Sequence, residues 1–203
     1  MLKRVQLVGK RVKLIPLEKG HTNDLFEAAR PSEIWTYMPT KGKSLEDIRN
    51  IVESALKARE NGTELPFTVY DLDTNCIIGS TRLLNISLPN KSTEIGWTWY
   101  SPSVWRTRVN TECKYLLLRY CFEELQLNRV QFKTDVRNER SRNAILRLGA
   151  LQEGIIRKER VLQDGYVRDS AMYSIIKEEW HSVKQRLEDF LQVDVHTEII
   201  YEN

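Results

Sequence analysis

The sequence predicts a mixed α/β fold, an open and mostly antiparallel sheet of about six to seven strands with helices on its faces. The chain alternates between stretches with helical spacing and stretches in which apolar and polar residues alternate. Three alternating stretches between 66 and 100 are separated only by turn residues, which predicts an antiparallel meander. The predicted order of elements is β-α-α-β-β-β-α-β-α-β-β-α.

The first part of the chain predicts one strand and two helices. Residues 11–17, RVKLIPL, place apolar side chains between charged ones and predict a strand. Residues 21–29 have helical spacing. Residues 44–60 repeat apolar side chains every three or four positions behind Ser44, a favourable N-cap residue, and predict a longer helix.

The middle of the chain predicts the meander, a long helix, a strand and a second helix. The meander strands are PFTVYDLD, CIIGSTRLLNIS and STEIGWTWY. A helix at about 111–125 carries Cys113 and Cys121 on its apolar stripe, so we expect both thiols in the core rather than as nucleophiles. The strand NRVQFKTDV follows. The helix over 138–148 should end at Gly149, because glycine suits a helix C-cap.

The last part of the chain predicts a hairpin, an amphipathic helix and a tail. The segments ALQEGIIRKERVL and YVRDSAMYSII flank the turn QDGY, and KEEWHSVKQRLEDFL has the spacing of an amphipathic helix. A chain of 203 residues suits one domain. We therefore predict a single domain over 1–191 and a C-terminal tail over 192–203.

Composition excludes several classes of function. Lys and Arg number 31 against 28 Asp and Glu, and this small excess argues against a nucleic-acid or membrane partner. The three cysteines lack CxxC spacing and the three histidines are scattered, so neither disulfides nor a metal site is expected. The first residues do not resemble a signal peptide, and no run of about 18 apolar residues occurs. We expect a cytoplasmic protein.

The junction between the third meander strand and the long helix is the most informative segment. Backbone amides at a helix N-terminus bind phosphate oxygens, because they lack internal partners and the helix dipole is positive there. Asn110 is a suitable N-cap, and Arg106 and Arg108 could bind phosphate through charge-assisted hydrogen bonds. The spacing alone also fits an ordinary connection with solvated arginines.

The strand EIGWTWY, the segment SPSVWRTRVNTECKYLLLRYCFEELQLNRV and the later NERSRNAILRLGA together resemble the Gcn5-related N-acetyltransferase (GNAT) family. The resemblance is closest to its RimJ/RimL branch, which acetylates the N-termini of ribosomal proteins, and it covers about residues 8–190. It implies the GNAT fold and acetyl-CoA as co-substrate. The family's phosphate loop, Gln/Arg-x-x-Gly-x-Gly/Ala, aligns Trp105 with its first position. Arg108 and Asn110 replace its two glycines.

The resemblance also implies where acetyl-CoA binds. Its pantetheine arm would pair with the splayed end of the strand 94–100, where a bulge frees an amide that polarises the thioester carbonyl. Tryptophan side chains there also fit an ordinary aromatic strand. Arg140 and Arg142 could meet the 3′-phosphate or simply coat a helix. The predicted acetyl-CoA-binding residues are Trp97, Thr98, Trp99, Trp105, Arg106, Thr107, Arg108, Val109, Asn110, Thr111, Asn138 and Arg140.

Acetyl transfer to an amine needs a base for the ammonium and an acid for the departing thiolate. Glu94, at the start of the bulged strand, is the candidate base through a water, although it also fits a solvated carboxylate. Ser141 matches the branch's Asn-x-x-Ser pattern and is the candidate acid. Asn138 and Ser141 equally suit an N-cap and its third helical residue. Tyr166 and Tyr173 are alternative acids ranked below Ser141.

The predicted reaction is direct transfer in a ternary complex, because no Cys or Ser-His pair offers a nucleophile. The acceptor, a small-molecule amine or a protein N-terminus, would lie between residues 21–60 and the sheet, where Trp35 and Tyr37 line the groove or pack in the core. A non-catalytic acyl-CoA sensor and a ribosome- or RNA-associated factor are the alternatives, and a homodimer remains open. The basic stretches at 137–147 and 157–160 are interpreted as solvated faces.

Overall fold

A computed structural model describes residues 3–192 and 198–202 and contains one sheet. Its nine strands are β1 Val5–Val8, β2 Val12–Pro16, β3 Leu65–Asp71, β4 Cys76–Ser87, β5 Ser92–Tyr100, β6 Arg129–Asp135, β7 Leu151–Val161, β8 Val167–Ile176 and β9 Glu198–Tyr201. They lie side by side in the order β7-β8-β6-β5-β4-β3-β2-β1-β9. All neighbours are antiparallel except β5 and β6, which are parallel.

Within these described residues, five α-helices connect the strands. They are α1 Thr22–Ala29, α2 Leu45–Glu60, α3 Val109–Arg119, α4 Glu139–Leu148 and α5 Trp180–Leu191. A π-helical turn, Tyr120–Glu124, continues α3, and short 3-10 turns lie at Lys19–His21, Ser32–Trp35, Pro102–Val104 and Lys177–Glu179. The predicted order of elements is confirmed, as are the N-cap at Ser44 and the left-handed C-cap at Gly149.

The sheet has more strands than the sequence predicted. The additional strands are β1 and β9, which pair with each other along Val5↔Tyr201 to Val8↔Glu198 at one edge. The predicted tail over 192–203 therefore contains a strand at 198–201. Residues 193–197 of that predicted tail lie outside the described part of the chain. Both strands have four residues, too few for their alternation to stand out from the flanking sequence.

Two apolar clusters hold the helices on opposite faces of the sheet. The larger one joins the sheet to α3, α4 and α5 and includes both predicted core cysteines, Cys113 and Cys121. The smaller one lies under α1 and α2 and includes Trp35 and Trp99, whose ring centroids are 5.7 Å apart. Trp35 is therefore a core residue rather than a lining residue of the groove.

The parallel strands β5 and β6 pair over only a short distance. Their register runs from Ser92↔Arg129 to Glu94↔Gln131 and then ends, although both strands continue. Beyond Glu94 the two strands splay apart. This opening lies in the middle of the sheet, with α3 on one face, and most of the predicted site residues line it.

Candidate active site

A cleft of about 860 Å³ occupies the splay between β5 and β6. It extends from the start of α3 and α4 on one face of the sheet to charged strand residues on the other. Most of the predicted site residues line it: Glu94, Trp97, Thr98, Trp99, Trp105, Arg106, Thr107, Asn110, Asn138, Arg140 and Ser141. The fold thus brings together residues that are almost fifty positions apart in the sequence.

The predicted bulge is present in β5. The register with β4 passes from Arg82↔Gly96 to Ser80↔Trp99, so β5 contains one extra residue there. Trp97 takes up the distortion with a φ of 50°, in the left-handed region that side chains rarely adopt. A bulge leaves a residue out of the ladder, so a backbone amide near Trp97 and Thr98 can point into the cleft. Arg82 covers the Trp97 ring, 4.6 Å from its centroid.

The loop before α3 departs from the sequence prediction in its capping. The helix begins at Val109, so Asn110 is inside the first turn and is not the N-cap. The Thr107 hydroxyl accepts a hydrogen bond from the Val109 amide, 3.3 Å away, and this short turn starts the helix before Asn110. The positive φ of the loop falls on Arg106, at 61°, whereas Arg108 has ordinary helical angles. Arginine at position 108 therefore needs no unusual backbone conformation.

Three predicted acetyl-CoA-binding residues do not line the cleft. Arg108 turns away, and its guanidinium donates to the Leu191 carbonyl at the end of α5, 2.9 Å away. Val109 is buried in the larger cluster, and the buried Thr111 hydroxyl accepts from Arg147. Helix packing directs these three side chains towards α5 and the core, so any contact of this segment with acetyl-CoA would be made by backbone amides. The Arg108 side chain does not fill the cleft.

The start of α4 forms the opposite wall. Asn138 is its N-cap, and the Asn138 Oδ1 atom accepts from the Ser141 amide at 3.1 Å, as the capping prediction required. Arg140 lies over the Trp105 ring, 3.9 Å from its centroid, and joins this wall to the loop before α3. Arg142 instead donates to the Tyr173 hydroxyl and lies outside the cleft.

Glu94 is at the bottom of the splay and is only 4% exposed, not solvated. Its Oε2 atom accepts from Gln131 at 3.2 Å and from Asn85 at 3.4 Å. These amide donors fix the carboxylate without neutralising it. Within residues 3–192 and 198–202 no donor hydrogen-bonds to Oε1, which leaves this oxygen available to an incoming group.

Lys114 is a cleft residue that the sequence did not reveal. It lies on α3, is 6% exposed, and donates to the Thr98 hydroxyl at 2.6 Å. The Thr98 hydroxyl is also 2.7 Å from that of Thr81, so a polar chain supports the bulge. Burial lowers the pKa of Lys114 to about 7. A charged residue beside an apolar stripe is usually solvated, which is why periodicity gave no signal.

Arg147 is the second residue that the sequence analysis missed. It lines the cleft from α4, seven positions after Arg140, and donates to Thr111 on α3 at 3.3 Å. Residues seven apart lie on the same helix face, so this spacing could have indicated Arg147 rather than Arg142 as the companion of Arg140. The two arginines place positive charge along the wall formed by α4.

Neither alternative acid lies in the cleft. Tyr173 is fully buried in β8 and bonded to Arg142, whereas Tyr166 is at the hairpin and lies under Arg137, 3.5 Å from its ring centroid. Burial also raises the pKa of Cys113 to about 12, so this thiol remains protonated at neutral pH. Of the three candidate acids, Ser141 is the one that lines the cleft.

The similarity of this chain to known proteins agrees with this geometry. Residues 11–151 match the family described as Acetyltransferase (GNAT) domain. The chain belongs to the GNAT acetyltransferase family. It is an acyltransferase enzyme with the mixed α/β GNAT fold, as the sequence predicted. GNAT acetyltransferases use acetyl-CoA.

Relatives and solved structures agree with this assignment. The provisionally named ribosomal N-acetyltransferase YdaF of Bacillus subtilis (strain 168) is 34% identical over 79% of this chain and 80% of its own length. The ribosomal-protein-serine acetyltransferase of Escherichia coli (strain K12) is 24% identical over 78% and 89%. A GCN5-related N-acetyltransferase from Brucella melitensis superposes with a TM-score of 0.85 and 26% identity, over 94% of this chain and 89% of that one.

Mycobacterium smegmatis RimJ in complex with CoA-disulfide has a TM-score of 0.79 at 20% identity, covers 91% and 94% of the two chains, and shows the shared fold. In the described part of this chain, no His, Cys, Asp and Glu side chains cluster as metal ligands would. None of the helices described here has the length and apolar character needed to cross a membrane.

Proposed function

We propose that this enzyme transfers an acetyl group from acetyl-CoA to the terminal amine of a protein by direct attack in a ternary complex. One observation carries the proposal. The splay between β5 and β6 joins a wall of helix N-termini and arginines to a buried, ionisable carboxylate, Glu94, through a single cleft. A donor entering along the helices and an amine entering beside Glu94 would meet at the bulge.

The residues at the helical end fit coenzyme A. The first turns of α3 and α4 both reach the cleft, and Arg106, Arg140 and Arg147 add positive charge there. Phosphate groups are recognised by such helix amides and by guanidinium groups. The free edges of β5 and β6 beyond Glu94 could pair with the amide-bearing pantetheine arm. Arg108, one of the two residues that replace the loop glycines, does not obstruct this binding, because its side chain points to α5.

The chain's own residues supply the remaining chemistry. Acetyl-CoA, when bound, supplies an activated acetyl thioester. A backbone amide at the Trp97–Thr98 bulge polarises the carbonyl oxygen, and a preorganised donor of this kind is typically worth about 3–4 kcal/mol. Glu94 accepts a proton from the substrate ammonium through a water. The Ser141 hydroxyl, at the positive end of α4, donates to the departing thiolate.

The acceptor class follows from the relatives and from the site. YdaF and the Escherichia coli enzyme are named for action on ribosomal proteins. Tyr37, Met38 and Pro39 line the cleft on the side of the residues between α1 and α2, and an extended N-terminus could enter there. These relatives also support a cytoplasmic location. A small-molecule amine is the competing acceptor.

An acetyl-CoA thermal shift tests donor binding. At about a hundredfold excess over Kd the melting temperature should rise by about 5–10 °C. Asn138→Ala should reduce this rise, because the cap that orders the start of α4 is lost. Ser44→Ala is the matched control, since it removes an equivalent cap from α2 but lies outside the cleft. No shift in the unsubstituted protein would contradict the proposal.

A thiol-release assay tests turnover. With acetyl-CoA and a panel of peptides and small amines, we expect free thiol to appear together with N-terminally acetylated peptide. If free thiol appeared only with small amines, the acceptor would be a small-molecule amine and not a protein N-terminus. Binding of acetyl-CoA without thiol release from any amine would instead indicate an acyl-CoA sensor.

A further inference from the structure

A group of basic side chains lies at the strand end of the cleft, outside the residues assigned to acetyl-CoA. Lys133 on β6, Arg168 on β8 and Arg160 on β7 come from three neighbouring strands and all line the cleft. Arg168 is 5% exposed and is therefore a buried cation. We call these three residues and Glu159 the basic cluster.

The basic cluster has an excess of positive charge. Glu159 is its one acidic member: Oε1 lies 2.9 Å from Lys133 Nζ, and Oε2 lies 3.5 Å from Arg168 and 3.8 Å from Arg160. Three cations thus share one carboxylate. Asp135 and Glu94 also act on the charge of Arg168, but Arg137 already holds both Asp135 oxygens at 3.0 and 2.7 Å.

An irregularity in β7 builds the basic cluster. The register with β8 passes from Ile156↔Ser170 to Arg160↔Arg168, which leaves two extra residues in β7, and Lys158 has a φ of 50°. In a regular strand, Glu159 and Arg160 would face opposite sides. Here Glu159 contacts Lys133 while Arg160 lines the cleft. Bulges commonly re-aim side chains in this way beside functional sites.

The position of the basic cluster relative to Glu94 indicates what it binds. Gln131 holds Glu94, and Lys133 is two residues further along β6 on the same face. That separation is about 7 Å, the length of two extended residues. Glu94 is complementary to the ammonium group of an acceptor, and the basic cluster is complementary to an anionic group. The acceptor that fits both carries an anionic group a short distance from its ammonium group.

We propose that the basic cluster is an acceptor subsite, and that the preferred substrates are polypeptides with an acidic side chain at the second or third residue. This inference rests on the proposed function, because it assumes that the acceptor is a polypeptide N-terminus. An acidic side chain would bind the excess positive charge of Arg160 and Arg168. The amine would then be held beside Glu94 rather than sampling the whole cleft.

The test is a set of peptides of equal length that carry a single Glu at position two, three, four or eight, with Gln at the other positions. We expect kcat/KM to be about tenfold higher for Glu at position two or three, the effect of one hydrogen bond between charged groups. Arg160→Gln should reduce this preference to about threefold or less without changing the KM for acetyl-CoA. Arg160 is 38% exposed at its side chain, so the variant should fold.

Arg157→Gln is the matched control, because it removes the same charge from an exposed position on β7 outside the cleft. Arg160→Glu should reverse the preference towards Lys at the same peptide position. Equal kcat/KM across the peptides would overturn the subsite while leaving the proposed function intact. A rise in the acetyl-CoA KM of Arg160→Gln would also overturn it, by assigning the basic cluster to the donor. Absence of acetylation of every peptide would overturn both proposals.

Discussion

The two faces of the sheet meet in one cleft but are built differently. On the face of α3 and α4, the cleft is bounded by helix amides, the buried Lys114 with its lowered pKa, and arginines whose positions follow from helix packing. On the opposite face it is bounded by acidic and basic side chains on strands, with Glu94 and the basic cluster fixed by neighbouring strands. The helical face suits one constant anionic ligand. On the strand face, a single substitution can change the charge that an acceptor meets. We therefore expect acceptor selectivity to be determined on this face.

The largest expected effect is on the strand face. Glu94→Gln should lower kcat about a hundredfold to ten-thousandfold, the usual contribution of a general base, because the amide cannot accept the ammonium proton. Steady-state kinetics with a fixed peptide measures this. The acetyl-CoA thermal shift of the variant should be unchanged. A loss of donor binding in this variant would show that the two faces are not separable.

Lys114→Met tests the helical face. The pKa of Lys114 is lowered to about 7, so between about pH 7 and 10.5 the unfolded chain binds a proton there that the folded chain does not. The unfavourable contribution of burying this lysine is therefore constant below about pH 7 and decreases to zero as the pH rises to about 10.5. The variant should be about 2–4 kcal/mol more stable at pH 7, with a difference that narrows towards pH 10.

Urea unfolding of both proteins across this pH range measures the Lys114 effect. Lys57→Met, which removes an exposed lysine from α2, is the control for the loss of one positive charge. A constant difference between the Lys114 variant and the unsubstituted protein at all pH values would indicate a packing effect instead of a titration.

Arg140→Gln sharpens the assignment of the helical face to the donor. It removes a guanidinium from the cleft wall, so the KM for acetyl-CoA should rise about tenfold while the KM for peptide is unchanged. Arg142→Gln is the control on the same helix, because Arg142 is bonded to Tyr173 outside the cleft. Equal effects of the two substitutions would indicate general loss of positive charge rather than a specific contact.

Arg108→Gln should have the smallest effect. The guanidinium donates to the carbonyl of Leu191 at the end of α5, so its loss should cost about 1 kcal/mol of unfolding free energy. The acetyl-CoA KM should not change, although the family alignment places this residue in the phosphate loop. A raised KM for acetyl-CoA would instead show that Arg108 contributes to acetyl-CoA binding. Denaturant unfolding and initial-rate kinetics on one preparation measure both quantities.

Local patterns in the sequence predicted most of the fold. The helix at 44–60, the meander and the Gly149 cap are short-range features, so their residues determine them directly. The pairing of β1 with β9 joins residues almost two hundred positions apart, and no periodicity records such a contact.

The candidate site was likewise predictable only where it depends on local backbone geometry. The resemblance placed the bulge near Trp97 and the cap at Asn138, which depend on backbone geometry. It could not give the directions of Arg108 and Lys114, because these depend on the packing of α5 and of the splay. Glu94 was identified from the sequence as a candidate base, but its burial depends on Asn85 and Gln131 from neighbouring strands.

The brief parallel pairing of β5 with β6 has a mechanical consequence. It divides the sheet into a six-stranded part, β9 and β1–β5, and a three-stranded part, β6–β8, in contact along Ser92–Glu94 and Arg129–Gln131. Such a narrow seam resists relative rotation of the two parts less than a full ladder would. A ligand that binds in the cleft and contacts both parts should therefore restrain their relative motion. This restraint should be measurable as slower hydrogen exchange of the backbone amides in the seam.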